Sequence, residues 1–289
     1  QDIGNWDVSS AEDMTRMFWG ASSFNQNLRN WCVEKIASEP DRFSSGSDLQ
    51  DDYHPVWGTC PSNAFYLAEN AVTVKCTEAG VGDYGWVNGV EYTKRTSEMI
   101  TPENASTTCT SGIVDMNAMF RGETDFNEDI RHWDVSSVTS MAHMFSRANS
   151  FNQDIGSWDV SNVTEMRSMF REMSFDQDIS DWEVGNVTDM SWMFYLSDSF
   201  NQDIGDWDVS SVENMESMFW NANSFNQDVG RWDVSAVTDM TRMFYGANVF
   251  NQDLTNWCVE NIDSEPSDFA SGSPLQESYK PIWGTCPGE

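Results

Sequence analysis

Positive charge is scarce in this sequence: 15 Lys and Arg stand against 47 Asp and Glu among 289 residues, a formal net charge of −32. A surface this acidic repels phosphate backbones and anionic headgroups, which removes nucleic acid and lipid surfaces as default partners. No apolar run approaches the length needed to span a bilayer. Histidine is rarer still, with His54, His132 and His143 the full set. No C-x-x-C pair, nucleophile elbow, phosphate-binding loop or H-E-x-x-H occurs, so the usual signatures of metal and nucleophilic catalysis are missing. The expectation is a protein that is not an enzyme and needs no cofactor.

What is plentiful is Met (16), Trp (14) and Phe (17). They fall in columns. Trp133, Trp158, Trp182, Trp207, Trp232 and Trp257 recur every 24–25 residues, and Trp6 and Trp31 repeat the interval near the start. Each copy reads approximately V-T-D-M-x-x-M-F-x-x-A-x-x-F-N-Q-D-I-G-x-W-D-V-S, with one Met column through Met190 and Met215 and a second through Met193 and Met218. A unit this short cannot bury its own apolar face, and stacking converts its fixed positions into continuous ladders. Their strict register makes Met, Phe and Trp core rather than a binding surface. Val187, Met190, Met193 and Phe194 suit a short helical turn, and Ile204 to Val209 a short strand. The predicted fold class is therefore an α/β repeat solenoid with one helical turn and one short strand per repeat.

The V-T-x-M-x-x-M-F and F-N-x-D-I-x-x-W-D-V segments resemble the BspA-like leucine-rich-repeat surface proteins, in their Met-Phe and Trp-Asp-Val variant, over residues 1–33 and 111–260. That resemblance implies a leucine-rich-repeat-like, extracellular or cell-surface solenoid used in adhesion or protein binding. It carries over no catalytic residues.

Outside the repeat, residues 30–61 and 256–287 match at 22 of 32 positions. Each begins as a repeat with Cys in place of the Asp of Trp-Asp-Val, then leaves the pattern, as the last rung of a stack must. Their equal cysteine spacing favours the pairs Cys32–Cys60 and Cys258–Cys286, leaving Cys76–Cys109, in place of a metal site. A staple of this loop size contributes about 3 kcal/mol in the chain-entropy description and belongs to an oxidising compartment. The expected layout is a first module's last repeats and cap (1–61), an N-terminal cap or linker of a second (62–110), a six-repeat solenoid (111–257) and its C-terminal cap (258–289). Val87-Asn88-Gly89-Val90 reads as a hairpin turn. Because Gln1-Asp2-Ile3-Gly4 repeats Gln202-Asp203-Ile204-Gly205, the chain is expected to be a segment of a longer string of modules.

Four sets of residues remain as candidates. Asp154, Asp178, Asp203 and Asp228 lie in one acidic column, where hydrogen-bonded or solvated carboxylates compete with a calcium site; the G-G-x-G-x-D calcium repeat is absent. Asn104, Asn162 and Asn186 head N-x-[ST] sequons. Trp19, Trp192, Tyr195, Trp220 and Tyr245 follow or interrupt the Met-Phe motif; all but Trp192 share a column occupied elsewhere by Arg121, Ser146 and Arg171, an aromatic patch fit for an interface. The histidines alternate with Lys280, Ser157 and Arg167 in other copies and read as surface residues. Together these point to an extracellular structural or adhesive protein of tandem modules, partnered by its own copies or a surface or matrix protein. A monomeric ligand-binding adhesin is the first alternative and a secreted enzyme the second.

Overall fold

The computed structural model describes residues 3–4, 6–60 and 64–288; the expected boundary at Pro61 and the first two residues of the opening Gln1-Asp2-Ile3-Gly4 lie outside this set. The chain forms two compact units, residues 1–68 with 74–94, and residues 69–73 with 95–289. The expected break after residue 61 therefore differs from the observed one, because residues 74–94 pack with the first unit. Among the described residues no helix is long and apolar enough to cross a membrane.

In the second unit the chain runs as stacked rungs. The N–H groups of Met116, Ala118, Phe120 and Gly122 donate to the carbonyls of Ser140, Ala142, Met144 and Ser146 at 2.8–3.0 Å. The same pattern recurs rung by rung, and one parallel bridge per rung links Asp115, Ser140, Glu165, Asp189, Asn214 and Asp239 in sequence. Inside lie the Val, Met, Phe, Ile and Trp columns, nearly all without solvent exposure. The Phe ladder steps by 5.6–6.0 Å with rings within about 13° of parallel, an offset geometry that adds to the burial term.

The expected helical turn does not form. Each M-x-x-M segment closes a β-turn, as in Met193 N–H to the Met190 carbonyl, with the residue before the second Met left-handed: φ is 55° at Ser168, 61° at Trp192 and 54° at Ser217. A second left-handed residue follows four places on, at Gly122, Arg147, Glu172, Leu196, Asn221 and Gly246. An α-helix needs an unbroken right-handed run, so what forms is a chain of turns of the type II kind. The expected strand at Ile204–Val209 is also a turn, closed by Trp207 N–H on the Ile204 carbonyl. Parallel pairing sits instead at the Met-Phe segment.

From Trp158 to Trp257 each buried Trp of the array donates its indole N–H to the carbonyl of the Ile or Val column one rung back, as Trp182 to Ile155 at 3.1 Å, Trp207 to Ile179 at 3.1 Å and Trp232 to Ile204 at 3.0 Å, while Trp133 on the first rung donates to the Ala105 carbonyl at 3.0 Å. This accounts for Trp in place of Phe, since the ring's polar edge meets a partner inside the core. The cap ends the stack in two ways. Phe269 turns edge-on to Phe244 at 89°, and Trp283 meets Phe269 at 81°, so the parallel rings stop. Pro266 stands where the next Met would be; it closes the same turn to Phe269 but has no N–H to leave unpaired at the open edge.

The first unit repeats this plan on a smaller scale, with Phe43 at 89° to Phe18 and Trp57 at 86° to Phe43. It also carries β1 (Tyr66–Leu67) antiparallel to β2 (Val74–Lys75), and a hairpin of β3 (Tyr84–Val87) and β4 (Val90–Lys94). Asn88 and Gly89, with φ of 51° and 81°, make the hairpin turn that Asn-Gly favours. Gly85 is obligatory in β3, since a Cβ there would sit 2.6 Å from the Phe65 ring.

Candidate functional site

The acidic columns are built from Asx turns. Asp154, Asp203 and Asp228 accept the N–H of Gly156, Gly205 and Gly230 at 2.9–3.1 Å, and Asp178 accepts both the N–H and hydroxyl of Ser180 at 2.9 and 2.7 Å. Asp159, Asp208 and Asp233 hold Ser161, Ser210 and Ser235 likewise. The hydroxyl and then the amide of the held residue keep Asp178, Asp208 and Asp253 below the ordinary carboxylate range. The only groups of three potential ligands that converge among the described residues are Cys32–Glu34–Cys60 and Cys258–Glu260–Cys286, and none of the calcium candidates belongs to them.

The cysteines of those two groups are bonded to each other, Cys32 to Cys60 and Cys258 to Cys286. Cys76 and Cys109 are both disulfide-bonded and fully buried. The sequon amides are engaged with backbone: Asn162 and Asn186 donate to the Ser136 and Ser161 carbonyls of the preceding rung at 2.8 and 2.7 Å, and Asn104 donates to Met99 at 3.0 Å while accepting the Thr101 N–H. His132 and His54 are buried, not surface groups. His132 lies under residues that precede the repeats, with its Nε2 3.0 Å from the Thr108 carbonyl.

The aromatic column behaves differently from the core ladders, for its rings are half-exposed. Tyr195 lies 5.5 Å from Trp220, and Trp220 lies 4.6 Å from Tyr245. Trp192 joins them at 4.9 Å from Tyr195 and 6.3 Å from Trp220. Rung-to-rung hydrogen bonds from Leu196 to Trp220 and from Asn221 to Tyr245 fix the register. Guanidinium groups cover the rings: Arg171 sits 5.2 Å from Trp192 and 4.8 Å from Tyr195, and Arg242 sits 5.4 Å from Trp220, distances at which cation–π attraction operates. Glu172, 2.7 Å from both Arg147 and Arg171, clamps the arginine end; hydrogen bonds from Arg147 and then from Arg171 hold it below the usual range, against burial, which pushes it up. Burial, then Arg121, Arg167 and Arg171, push His143 down, which marks these cations as its neighbours. The result is an arginine–aromatic strip along the Met-Phe segment.

Trp19 belongs to the other unit, 59% exposed with Arg16 5.7 Å from its ring. Trp192 is visible in the sequence as an aromatic interrupting the Met-Phe motif, outside the aromatic column, while Arg147 and Arg242 were missed. Each occupies one of the two left-handed columns that border the aromatic one, and those columns become visible only once the turns are known.

Rungs joined by parallel hydrogen bonds, filled by aromatic and Met ladders and stapled by disulfides at their ends, define a repeat protein. The chain belongs to the family described as "Mycoplasma protein of unknown function, DUF285", whose profile matches residues 1–57, 91–195 and 171–281. Neither a curated protein nor a solved structure matches it.

Proposed function

We propose that this chain is a structural or adhesive protein of the cell exterior, in which leucine-rich-repeat-like solenoid modules of the BspA-like kind assemble with other copies into a fibre. The observation that carries this reading is the arginine–aromatic strip of Arg171, Trp192, Tyr195, Trp220, Tyr245 and Arg242, which is half-exposed on rungs whose core is already full. Trp, Tyr and Arg are the residues that dominate protein interfaces. The stapled caps favour an oxidising exterior, and screening salt there tempers a charge of −32. The Trp-Asp-Val face offers an open groove of about 530 Å³ lined by Glu183, Asp206 and Asp208, which is unlike the enclosed, mostly apolar pocket of an enzyme. Negative-stain microscopy across a concentration series tests the proposal. Filaments or ordered clusters are expected, and dispersed particles at every concentration would replace it with a monomeric adhesin.

A further inference from the structure

Resting on the fibre reading above, we infer that the arginine–aromatic strip docks on the acidic Asp column of a second copy of this chain, and that this is the contact that propagates the assembly. Three observations carry it.

The first is charge. Residues 95–289 contain nine Lys and Arg, and five of them, Arg121, Arg147, Arg167, Arg171 and Arg242, lie on or beside the strip. The exposed Asp154, Asp178, Asp203, Asp228 and Asp253 form a continuous acidic row on the same rungs. A strip that concentrates cations on an otherwise acidic array is complementary to that row, and like faces of two copies would repel.

The second is spacing. Strip and row ride on one stack, whose Phe rings repeat at 5.6–6.0 Å. A copy laid alongside offers carboxylates at the interval of the strip's own side chains. An unrelated acidic protein has no reason to match that interval.

The third is free valence. Asp203 and Asp228 each commit Oδ1 to their own turn, and among the described residues no hydrogen bond involves Oδ2 of either. An exposed carboxylate so oriented is preset to accept a guanidinium without losing its structural bond. Because strip and row are different faces, the contact is heterologous and does not close on itself, so it extends into filaments or lateral arrays.

The test uses the whole chain and two complementary variants in sedimentation velocity. Arg147→Glu with Arg171→Glu reverses the strip. Asp203→Asn, Asp228→Asn and Asp253→Asn neutralises the row while keeping the Oδ1 acceptor of each turn. Each variant alone is expected to need at least about ten-fold more protein to assemble, the scale of losing one interface anchor. An equimolar mixture regains one-to-one dimers and nothing longer, since one partner supplies only the row and the other only the strip. Tyr245→Ser, which leaves charge untouched and removes only an exposed ring, weakens assembly in the same direction and guards against a folding defect. Wild-type assembly undiminished in both charge variants overturns this inference and leaves the fibre reading standing. Loss in the strip variant with none in the row variant also overturns it, as does a monomeric wild type retained on an immobilised acidic polysaccharide through Arg171. A wild type monomeric at every concentration sinks both.

Discussion

The first unit and the repeat array use the same residues to different effect. Trp6 is 49% exposed and Met17 41% exposed, while Trp207 is 4% exposed and Met193 fully buried. Phe18 is half-buried where Phe194 has no exposure. Sequence position within the repeat is identical, so the difference comes from the surroundings: the Trp207 rung lies between those of Trp182 and Trp232, whereas among the described residues the Trp6 ring stays half open to solvent. Burial in this architecture is a property of stacking order, not of the repeat unit.

That comparison breaks if equivalent truncations cost the same in both units. Phe194→Ala removes a ring packed 5.7 Å from Phe170, 5.6 Å from Phe219 and 3.8 Å from Phe200. The expected loss is about 3–5 kcal/mol, as for a large cavity in a core that cannot collapse. Phe18→Ala, at a half-exposed site, is expected to cost under about 2 kcal/mol. Denaturant titration followed by Trp fluorescence reads both; equal losses would show that rung position does not govern stability.

A subtler asymmetry concerns one hydrogen bond. Trp207 donates to Ile179 at 3.1 Å within the core, so Trp207→Phe deletes a bond, leaves the carbonyl short of one donor and opens a gap. About 1–3 kcal/mol is expected to be lost. Trp6→Phe, on an exposed ring, is expected to stay within about 0.5 kcal/mol of wild type. Thermal melts of the two variants, compared with wild type, sharpen the comparison if they separate and blunt it if they coincide.

The rung length, the Met, Phe and Trp columns and the duplicated stapled caps were legible because identity recurs at fixed intervals. Turn type was not. Val187, Met190, Met193 and Phe194 have a spacing that serves a helix and a chain of β-turns alike, since both bring residues three apart together. What separates them is a left-handed residue at Ser168, Trp192 or Ser217, and none of these is the Gly or Asn that advertises such a conformation. Gly122, Asn221 and Gly246 in the neighbouring column were the available signal. The strip was half legible for the same reason: the aromatic column and Trp192 stand out as departures from the repeat, while Arg242 reaches the rings from a column whose geometry the spacing does not disclose. His132 was misread because its column mates Ser157, Asp181 and Asp206 face solvent, and spacing does not place the non-repeating residues that cover the first rung.

The smallest expected effect follows from that covering. His132 occupies a column that is exposed or half-exposed in the inner rungs, yet it is 7% exposed beneath Thr108. Burial holds its imidazole below the ordinary value of 6.5, outweighing the Thr108 carbonyl and Asp129, which favour the charged form; Arg131 pushes in the same direction as burial. A base whose folded value is depressed binds fewer protons folded than unfolded, so stability rises with pH across the gap between the two values. The contribution of His132 is therefore complete above about pH 6.5 and is lost as pH falls through the lower, folded value. Carboxylates remain ionised through most of that window, which leaves histidine as the titrating class. Melting wild type and His132→Gln between pH 5.5 and 7.5 isolates the effect, because Gln can donate to Thr108 but does not titrate, and His54 and His143 are common to both. The expected outcome is a wild-type melting temperature that drops towards pH 5.5 more steeply than that of the variant. Parallel curves would mean that the first rung is as open to water as its sequence column suggests.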